Sequence, residues 1–144
     1  MKYKIKVWKT LSRNDTGETH SHQSGISIIK DIARAGIFPT LSKDTLNPRT
    51  MVKFIDEEGY EWEFQYIYYN DIFFGKPKGK GHDEYRLTCV KNFIKAYDIV
   101  AGDEIWFAVD EEGKRVIGFN KPSSNEEEEE DVIVIRKGWK MINI

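Results

Sequence analysis

Polar side chains that can donate and accept hydrogen bonds are concentrated between Leu11 and Gly25. They are Ser12, Arg13, Asn14, Asp15, Thr16, His20, His22 and Gln23. A mixed set of this kind suits the edges of DNA bases and the oxygens of phosphates. The stretch is roughly a dozen residues long, more than a plain hairpin turn needs. We therefore expect an ordered loop that meets a polar partner.

A second stretch with potential chemistry covers residues 74–86, where lysines alternate with glycines and a proline. Its basic side chains before the exit are Lys76, Lys78, Lys80 and His82. Basic residues on a glycine-rich loop can follow a phosphate backbone closely, because the main chain itself can approach it. Arg86, at the stiffer exit of the loop, is the best candidate for a bidentate contact with guanine. Composition alone also fits a flexible, solvated loop.

His20 and His22 would point to the same side of a strand, a spacing that suits metal chelation. No carboxylate or thiolate motif stands near them to complete a ligand set. The single cysteine, Cys89, excludes an internal disulfide and a zinc site built on several thiolates. We therefore expect no metal and no other cofactor.

Hydrolytic chemistry would need metal-binding carboxylates and a nearby lysine on one strand. Glu112 and Lys114 imitate that spacing, but Gly113 between them places the pair at a hairpin tip. Glu61 and Glu63 share a strand face without a following lysine. No serine or cysteine is matched with a histidine in a recognisable way, and no glycine-rich loop has phosphate-binding spacing before a helix. We expect no enzyme activity in this chain.

Alternating apolar and polar residues predict the strands that must position these stretches. The strands are expected at 3–8, 51–55, 60–69, 105–109, 115–119 and 132–144, besides an apolar strand after Gly25. Short helices are expected near 31–35 and from Val90 to Val100. The length fits one domain, residues 1–144. The predicted fold class is α+β, mostly β, with about seven mainly antiparallel strands and one or two short helices.

The net charge of −2 hides an uneven distribution along the chain. Residues 1–53 carry ten Lys/Arg against four Asp/Glu, whereas residues 96–144 carry six against twelve. A chain of this kind can present a positive face despite a nearly neutral sum. Residues 121–131, with five consecutive glutamates, are expected to form a flexible acidic loop that serves as a tether or as a mask for the lysines.

Two blocks of the sequence resemble a known family. Asn14-Asp15-Thr16-Gly17 with His22-Gln23-x-Gly25 forms the first block, and Tyr68-Tyr69-Asn70-x-x-x-Phe74-Gly75-Lys76 forms the second. Both are similar to the N-terminal effector-DNA-binding domain of the restriction endonuclease EcoRII, and the similarity extends over residues 8–119. The helix, Gly-Asp turn and aromatic strand around residue 102 also resemble plant auxin-response-type DNA-binding domains, which share a pseudobarrel fold with the EcoRII domain.

The resemblance implies a DNA-binding pseudobarrel in which two arms grip double-stranded DNA and read its major groove. The arms would be Ser12–Gln23 and Lys76–Arg86. Bases would be contacted by Arg13, His22 and Arg86, and phosphates by Lys9, Lys76, Lys78 and Lys80. The chain would be the specificity domain of a restriction enzyme, joined to a nuclease domain or subunit, or a free-standing reader. The resemblance does not indicate which DNA sequence this chain would recognise.

A protein-interaction domain is the alternative, with Tyr66, Tyr68 and Tyr69 as an aromatic surface on one strand. Aromatic residues are enriched at interfaces, although the same alternation fits a core. No run of about 18 apolar residues is present, and residues 1–9 lack the uninterrupted apolar core of a signal peptide. We therefore expect a cytoplasmic protein without a membrane partner.

Overall fold

The computed structural model describes residues 3–19, 25–76, 79–122 and 132–143. Four residues predicted to bind DNA lie outside this part of the chain: His20, His22, Gln23 and Lys78. Residues 123–131, most of the acidic stretch, also lie outside it. The predictions for these residues are therefore carried by the sequence alone.

The described residues form nine strands in a single sheet. The strands are β1 (Tyr3–Thr10), β2 (Ile26–Ile28), β3 (Arg49–Asp56), β4 (Glu61–Tyr69), β5 (Glu84–Thr88), β6 (Glu104–Asp110), β7 (Arg115–Asn120), β8 (Ile133–Val134) and β9 (Trp139–Asn143). Two short α-helices, α1 (Lys30–Ala33) and α2 (Lys91–Ala96), and a 3-10 helix (Asp71–Phe74) accompany them. Within the described ranges, no helix has the length and hydropathy needed to cross a membrane.

The strand order across the sheet is β2-β5-β4-β3-β7-β6-β1-β9-β8. Neighbouring strands are antiparallel except β3 and β7, which run parallel with Ile55 beside Val116. β1 and β2 follow each other in the chain but lie far apart in this order. The segment that joins them, which holds the first predicted arm, must therefore reach from one part of the sheet to another.

The core is organised around Phe38, which follows α1 and is only 5% exposed. Its ring stacks on Tyr66 of β4, with centroids 5.0 Å apart, and meets Phe107 of β6 edge-on at 5.3 Å. Phe54 of β3 lies 5.9 Å away. One apolar cluster joins these rings to residues of β1, β2, β5, β7 and β9. Strands that are distant in the sheet order thus face one core, so the sheet is curled.

Two hairpins are closed by the same four-residue acidic sequence, Asp-Glu-Glu-Gly, at positions 56–59 and 110–113. Asp56 Oδ1 accepts hydrogen bonds from the backbone N–H groups of Glu58 and Tyr60, at 2.9 and 3.0 Å. Asp110 Oδ1 accepts equivalent bonds from Glu112 and Lys114, at 2.9 and 2.8 Å. The first aspartate of each turn therefore holds it closed, and the glutamates of both turns are exposed.

The prediction of a mostly β α+β fold is confirmed, with nine strands where about seven were expected. One difference lies at the C-terminal end, where a single strand from Val132 was predicted. Lys137 and Gly138 both have positive φ, 52° and 83°, which is the backbone of a two-residue hairpin turn. The turn folds β9 back onto β8, so the predicted strand is two strands.

The second predicted helix is shorter than expected. Apolar spacing extends to Val100, but α2 ends at Ala96. Asp98 adopts the left-handed conformation, with φ 49°, and the N–H of Ile99 donates to the carbonyl of Ile94 at 3.0 Å. This closure satisfies a terminal carbonyl and turns the chain towards β6.

Candidate nucleic-acid interface

Two long connections carry most of the side chains predicted to meet DNA. We define the first arm as residues 11–25, between β1 and β2, and the second arm as residues 70–83, between β4 and β5. The second arm begins earlier than expected, at Asn70. Arg86, expected at the exit of that loop, lies inside β5.

The first arm is tied to the sheet at its base. Leu11 is 3% exposed, its N–H donates to the carbonyl of Asp103 at 2.9 Å, and its carbonyl accepts from Gly102 at 2.9 Å. Both partners precede β6. The arm thus leaves the sheet from a fixed point.

A buried ion pair between Lys9 and Asp15 closes the first turn of this arm. The two residues are only 7% and 6% exposed. Asp15 Oδ2 also accepts from the N–H of Ser12 at 3.0 Å, and Ser12 Oγ accepts from the N–H of Asp15 at 3.2 Å. Lys9 and Asp15 were predicted to touch DNA, but here their charges satisfy each other, and a phosphate contact by Lys9 would have to break this pair.

The outer side of the same turn presents polar groups to solvent. Arg13 and Ser12 are exposed, and Asn14 and Thr16 are half-buried. Thr16 Oγ1 donates to the carbonyl of Arg13 at 3.1 Å, which fixes the backbone and leaves the guanidinium outside. Among the predicted contacts of the described part of the first arm, Arg13 is the exposed cation.

The second arm is anchored by Asn70, which is 1% exposed. Asn70 Oδ1 accepts from the N–H of Asn47 at 2.8 Å, and Asn70 Nδ2 donates to the carbonyl of Thr45 at 2.9 Å. In return the N–H of Asn70 donates to Asn47 Oδ1 at 3.2 Å. The start of the arm is thereby joined to the segment before β3.

Further along, the two sides of the second arm pack against each other. The N–H of Ile72 donates to the carbonyl of His82 at 3.3 Å, and the N–H of His82 donates to Asp71 Oδ1. This backbone bond, together with the nearby imidazole, holds the pKa of Asp71 below its usual value. A Cβ at Gly81 would lie 2.6 Å from Ile72 Cα, so only glycine allows the close approach.

Two adjacent phenylalanines and two lysines are displayed on this arm. Phe73 is 66% and Phe74 is 45% exposed, and Gly75 ends the 3-10 helix with φ 95°. Lys76 and Lys80 are exposed, as predicted for phosphate contacts. The exposure of the phenylalanines was not predicted, although two aromatic residues before a glycine in a polar loop were the available signal.

Arg86 is buried in the sheet, at 7% exposure. Its guanidinium donates to Glu84 Oε1 at 2.7 Å and to the carbonyl of Gly25 at 3.1 Å. Across the ladder Arg86 faces Ser27 of β2. The residue therefore joins the end of the first arm to β5, and a guanine contact by Arg86 stays a prediction that would require release of these partners.

The β2–β5 ladder brings the two arms to one short piece of sheet. The first arm enters β2 beside the end of β5, since Ile26 faces Leu87 and a Cβ at Gly25 would lie 3.2 Å from Thr88 Cα. The second arm enters β5 at its other end, at Glu84. The two ends of β5, Glu84 and Thr88, are four residue steps apart, which at about 3.3 Å per step is about 13 Å.

The aromatic surface proposed for protein interaction is absent from the described surface. Tyr66 and Tyr68 are 0% and 5% exposed and Tyr69 is half-buried. Tyr68 and Tyr85 stack with centroids 4.2 Å apart, and Tyr68 Oη donates to Asp83 at 2.6 Å. Burial and the neighbouring Asp83 carboxylate raise the pKa of Tyr68. Tyr66 and Tyr68 belong to the core, because they share the face of β4 that is turned towards it, whereas Tyr69 lies on the other face.

The described residues contain no group of three or more histidine, cysteine or acidic side chains placed to hold a metal ion. Asp56, which closes the first Asp-Glu-Glu-Gly turn, is also engaged by the side chains of Trp62 and Tyr97. Glu112 and Lys114 lie on an exposed hairpin tip, as predicted.

Comparisons with known proteins extend this description. The family model described as "Restriction endonuclease EcoRII, N-terminal" matches residues 2–137. Among solved structures, the chain is similar to "Arabidopsis FUS3-DNA complex", with a TM-score of 0.59 and 22% identity over 81% of this chain and 96% of that one. This likeness shows a shared fold. No curated protein sequence matches the chain significantly.

Proposed function

The chain belongs to the family of the N-terminal domain of the restriction endonuclease EcoRII, and on this premise we propose that it binds double-stranded DNA sequence-specifically, with both arms in one major groove. The observation that carries the proposal is that the C-terminal ends of the two arms, at Gly25 and Asp83, meet opposite ends of the β2–β5 ladder. Their separation there, about 13 Å, is close to the width of the B-DNA major groove, about 12 Å. A duplex lying across this ladder would receive one arm at each edge of the groove.

The division of roles follows from exposure. Arg13 is the candidate for base contact on the first arm, joined by His22 from the sequence prediction, because a free guanidinium can bond guanine O6 and N7 together. Lys76 and Lys80 would neutralise phosphates. Arg86 and Lys9 act in this proposal as positioning residues, since both are buried and bonded to their own arm or strand.

The fold likeness to the FUS3 structure supports the proposal, because that structure is described as a DNA complex. The anchored bases of the arms support it further. Side chains held on fixed turns lose less conformational entropy on binding than side chains on a loose loop.

Binding-site selection from random duplexes, followed by affinity measurements over a range of salt concentrations, tests the proposal. We expect one short sequence to be enriched and its affinity to fall linearly with the logarithm of salt concentration. Recovery of unenriched sequences alone would reduce the function to non-specific DNA binding. A duplex affinity that does not change with salt would refute the phosphate contacts.

We also propose that the chain cuts no DNA itself and that cleavage, where it occurs, belongs to a nuclease domain or subunit. The support is that Asp56 and Asp110 are used to close their own turns and that Glu112 and Lys114 are exposed at a hairpin tip. Incubating supercoiled plasmid with the chain and Mg²⁺ tests this. Nicked or linear product that disappears with EDTA would overturn it.

A further inference from the structure

Phe73 and Phe74 are the adjacent pair of exposed aromatic residues on the described surface, which otherwise exposes the adjacent aliphatic pair Ile133 and Val134. They are adjacent, and they are 66% and 45% exposed. Phenylalanine is among the residues most often buried completely, and contiguous exposed apolar groups mark interaction sites. Single exposed aromatic residues such as Tyr60, at 62%, need no such explanation.

The exposure is built into a fixed turn. The N–H of Phe73 donates to the carbonyl of Asn70 at 3.0 Å, and Asn70 is itself buried and bonded to Asn47 and Thr45. On the other side, Ile72 packs against Gly81 with no room for a Cβ. The backbone of the turn is therefore fixed on both sides, while the two rings lie at the surface.

The charge around the two rings indicates the kind of partner. Both carboxylates of the second arm are paired, Asp71 with His82 and Asp83 with Lys30. Lys76 and Lys80 are exposed and form no salt bridge with a described residue, although the charge of Lys76 helps to lower the pKa of Asp71. The arm thus presents apolar rings beside exposed lysines, which fits a polyanion better than the apolar centre of a protein interface.

In the major groove, thymine is the standard base that offers an apolar group, the methyl on C5. We propose that Phe73 contacts a C5-methyl group and so makes a thymine part of the recognised sequence. The inference rests on the proposed function, because it places the second arm in the major groove. A cytosine methylated on C5 carries the same group at the same position, so the chemistry recognised is the methyl itself.

The test uses the full chain and the duplex obtained by selection. Each thymine is replaced singly by deoxyuridine, which removes only the methyl group, and affinity is measured by fluorescence anisotropy. We expect one replacement to weaken binding roughly fourfold, the factor that corresponds to one buried methyl group. With Phe73→Ala, thymine and deoxyuridine at that position should bind equally well, whereas Phe73→Leu should retain part of the difference.

Tyr60→Ala is the matched control, because Tyr60 is an equally exposed aromatic residue at the opposite end of β4 from the second arm. It should leave the preference for thymine unchanged. A parallel series that replaces cytosine by 5-methylcytosine shows whether a methylated base is the source of the methyl: tighter binding that Phe73→Ala abolishes would assign the contact to that base.

The outcomes separate this inference from the proposed function. If the unmodified chain binds no duplex, the proposed function itself fails. If it binds a selected sequence but no deoxyuridine or 5-methylcytosine replacement changes its affinity, the methyl contact is overturned while the function stands. The inference would also be overturned if Phe73→Ala lowered the affinities for the thymine and deoxyuridine duplexes by the same factor, so that the preference for thymine persisted. A dimer in light scattering that Phe73→Ala converts to a monomer would overturn it as well.

Discussion

Asn47 and Asn70 each hold the other's backbone N–H with a side-chain carbonyl oxygen, at 3.2 and 2.8 Å. The pair lies where the second arm leaves β4 and where the chain enters β3. Reciprocal bonds of this kind satisfy two main-chain donors at once and fix the relative position of two segments. The second arm owes its orientation to this pair rather than to its own glycine-rich sequence.

Asn70→Ala should therefore lower the free energy of unfolding by about 1–3 kcal/mol, the usual cost of leaving buried groups without partners. Denaturant unfolding measures the loss. Duplex affinity at a temperature where the variant is folded should fall as well, because the arm loses its anchor. Asn70→Asp keeps the acceptor for Asn47 but sets a buried carboxylate against the carbonyl of Thr45, so at neutral pH it should be at least as destabilising as Asn70→Ala.

The ion pair of Lys9 and Asp15 predicts different results for its two members. Asp15→Ala leaves a buried ammonium group without its partner, so we expect a loss of about 3–5 kcal/mol in unfolding free energy. The double substitution Lys9→Met and Asp15→Leu removes both charges, and it should recover much of the unfolding free energy that Asp15→Ala loses. Lys9→Met should not change the salt dependence of duplex binding. A shallower slope of log affinity against log salt concentration in Lys9→Met would show that Lys9 contacts a phosphate after all.

Arg86→Ala should reduce stability and weaken binding to all sequences alike, because Arg86 joins the end of the first arm to β5. Competition among duplexes that differ at single base pairs measures this. The contrary result is informative: a preference relaxed at one G·C pair by about 1–3 kcal/mol, with stability retained, would show that Arg86 reads guanine.

Lys76→Ala should weaken binding to every duplex and reduce the slope of log affinity against log salt by about 0.9, the value for one phosphate contact. Lys53→Ala is the control, since Lys53 is also exposed but lies on β3 opposite Glu63 and near the acidic turn. It should leave the slope as it is. Equal effects from both lysines would point to general electrostatic attraction.

Acid stability should depend on Asp56. Burial alone would raise its pKa, but hydrogen bonds from Tyr97, Trp62 and two backbone N–H groups outweigh this and lower it. Because the folded pKa lies below the unfolded value, Asp56 stabilises the fold above the unfolded pKa, and this contribution is lost as pH falls through the folded pKa. Tyr97→Phe should move acid unfolding to higher pH in a circular dichroism titration. An unchanged midpoint would contradict this role.

Much of the scaffold could be predicted because it depends on local patterns. Clean alternation in β4 and the turn at Gly59 are visible in the sequence, since a strand buried on one side must alternate. The division of the last strand could not be predicted, because the turn requires positive φ at Lys137, which is unusual for lysine.

The sequence predicted the two stretches of the candidate site, but it did not predict the roles of their individual residues. The burial of Lys9 and Arg86 follows from the neighbours that they meet, because Asp15 becomes the partner of Lys9, and Gly25 that of Arg86, only in the folded chain. Composition shows that a basic residue is present, but it does not show whether a carboxylate lies next to it in the folded chain. The same limit explains why the exposed pair at residues 73–74 was missed.

The two Asp-Glu-Glu-Gly hairpins give the molecule an uneven charge distribution, whose electrostatic field acts at a distance. The first of them lies at the opposite end of β4 from the second arm, and residues of both turns line one pocket together with Tyr3. A duplex arriving from that side would be repelled before touching anything, over the roughly 10 Å that physiological salt allows. The hairpins would thus orient the protein relative to the duplex as the two approach each other. Neutralising their glutamates should lower the association rate constant without altering any contact in the final complex.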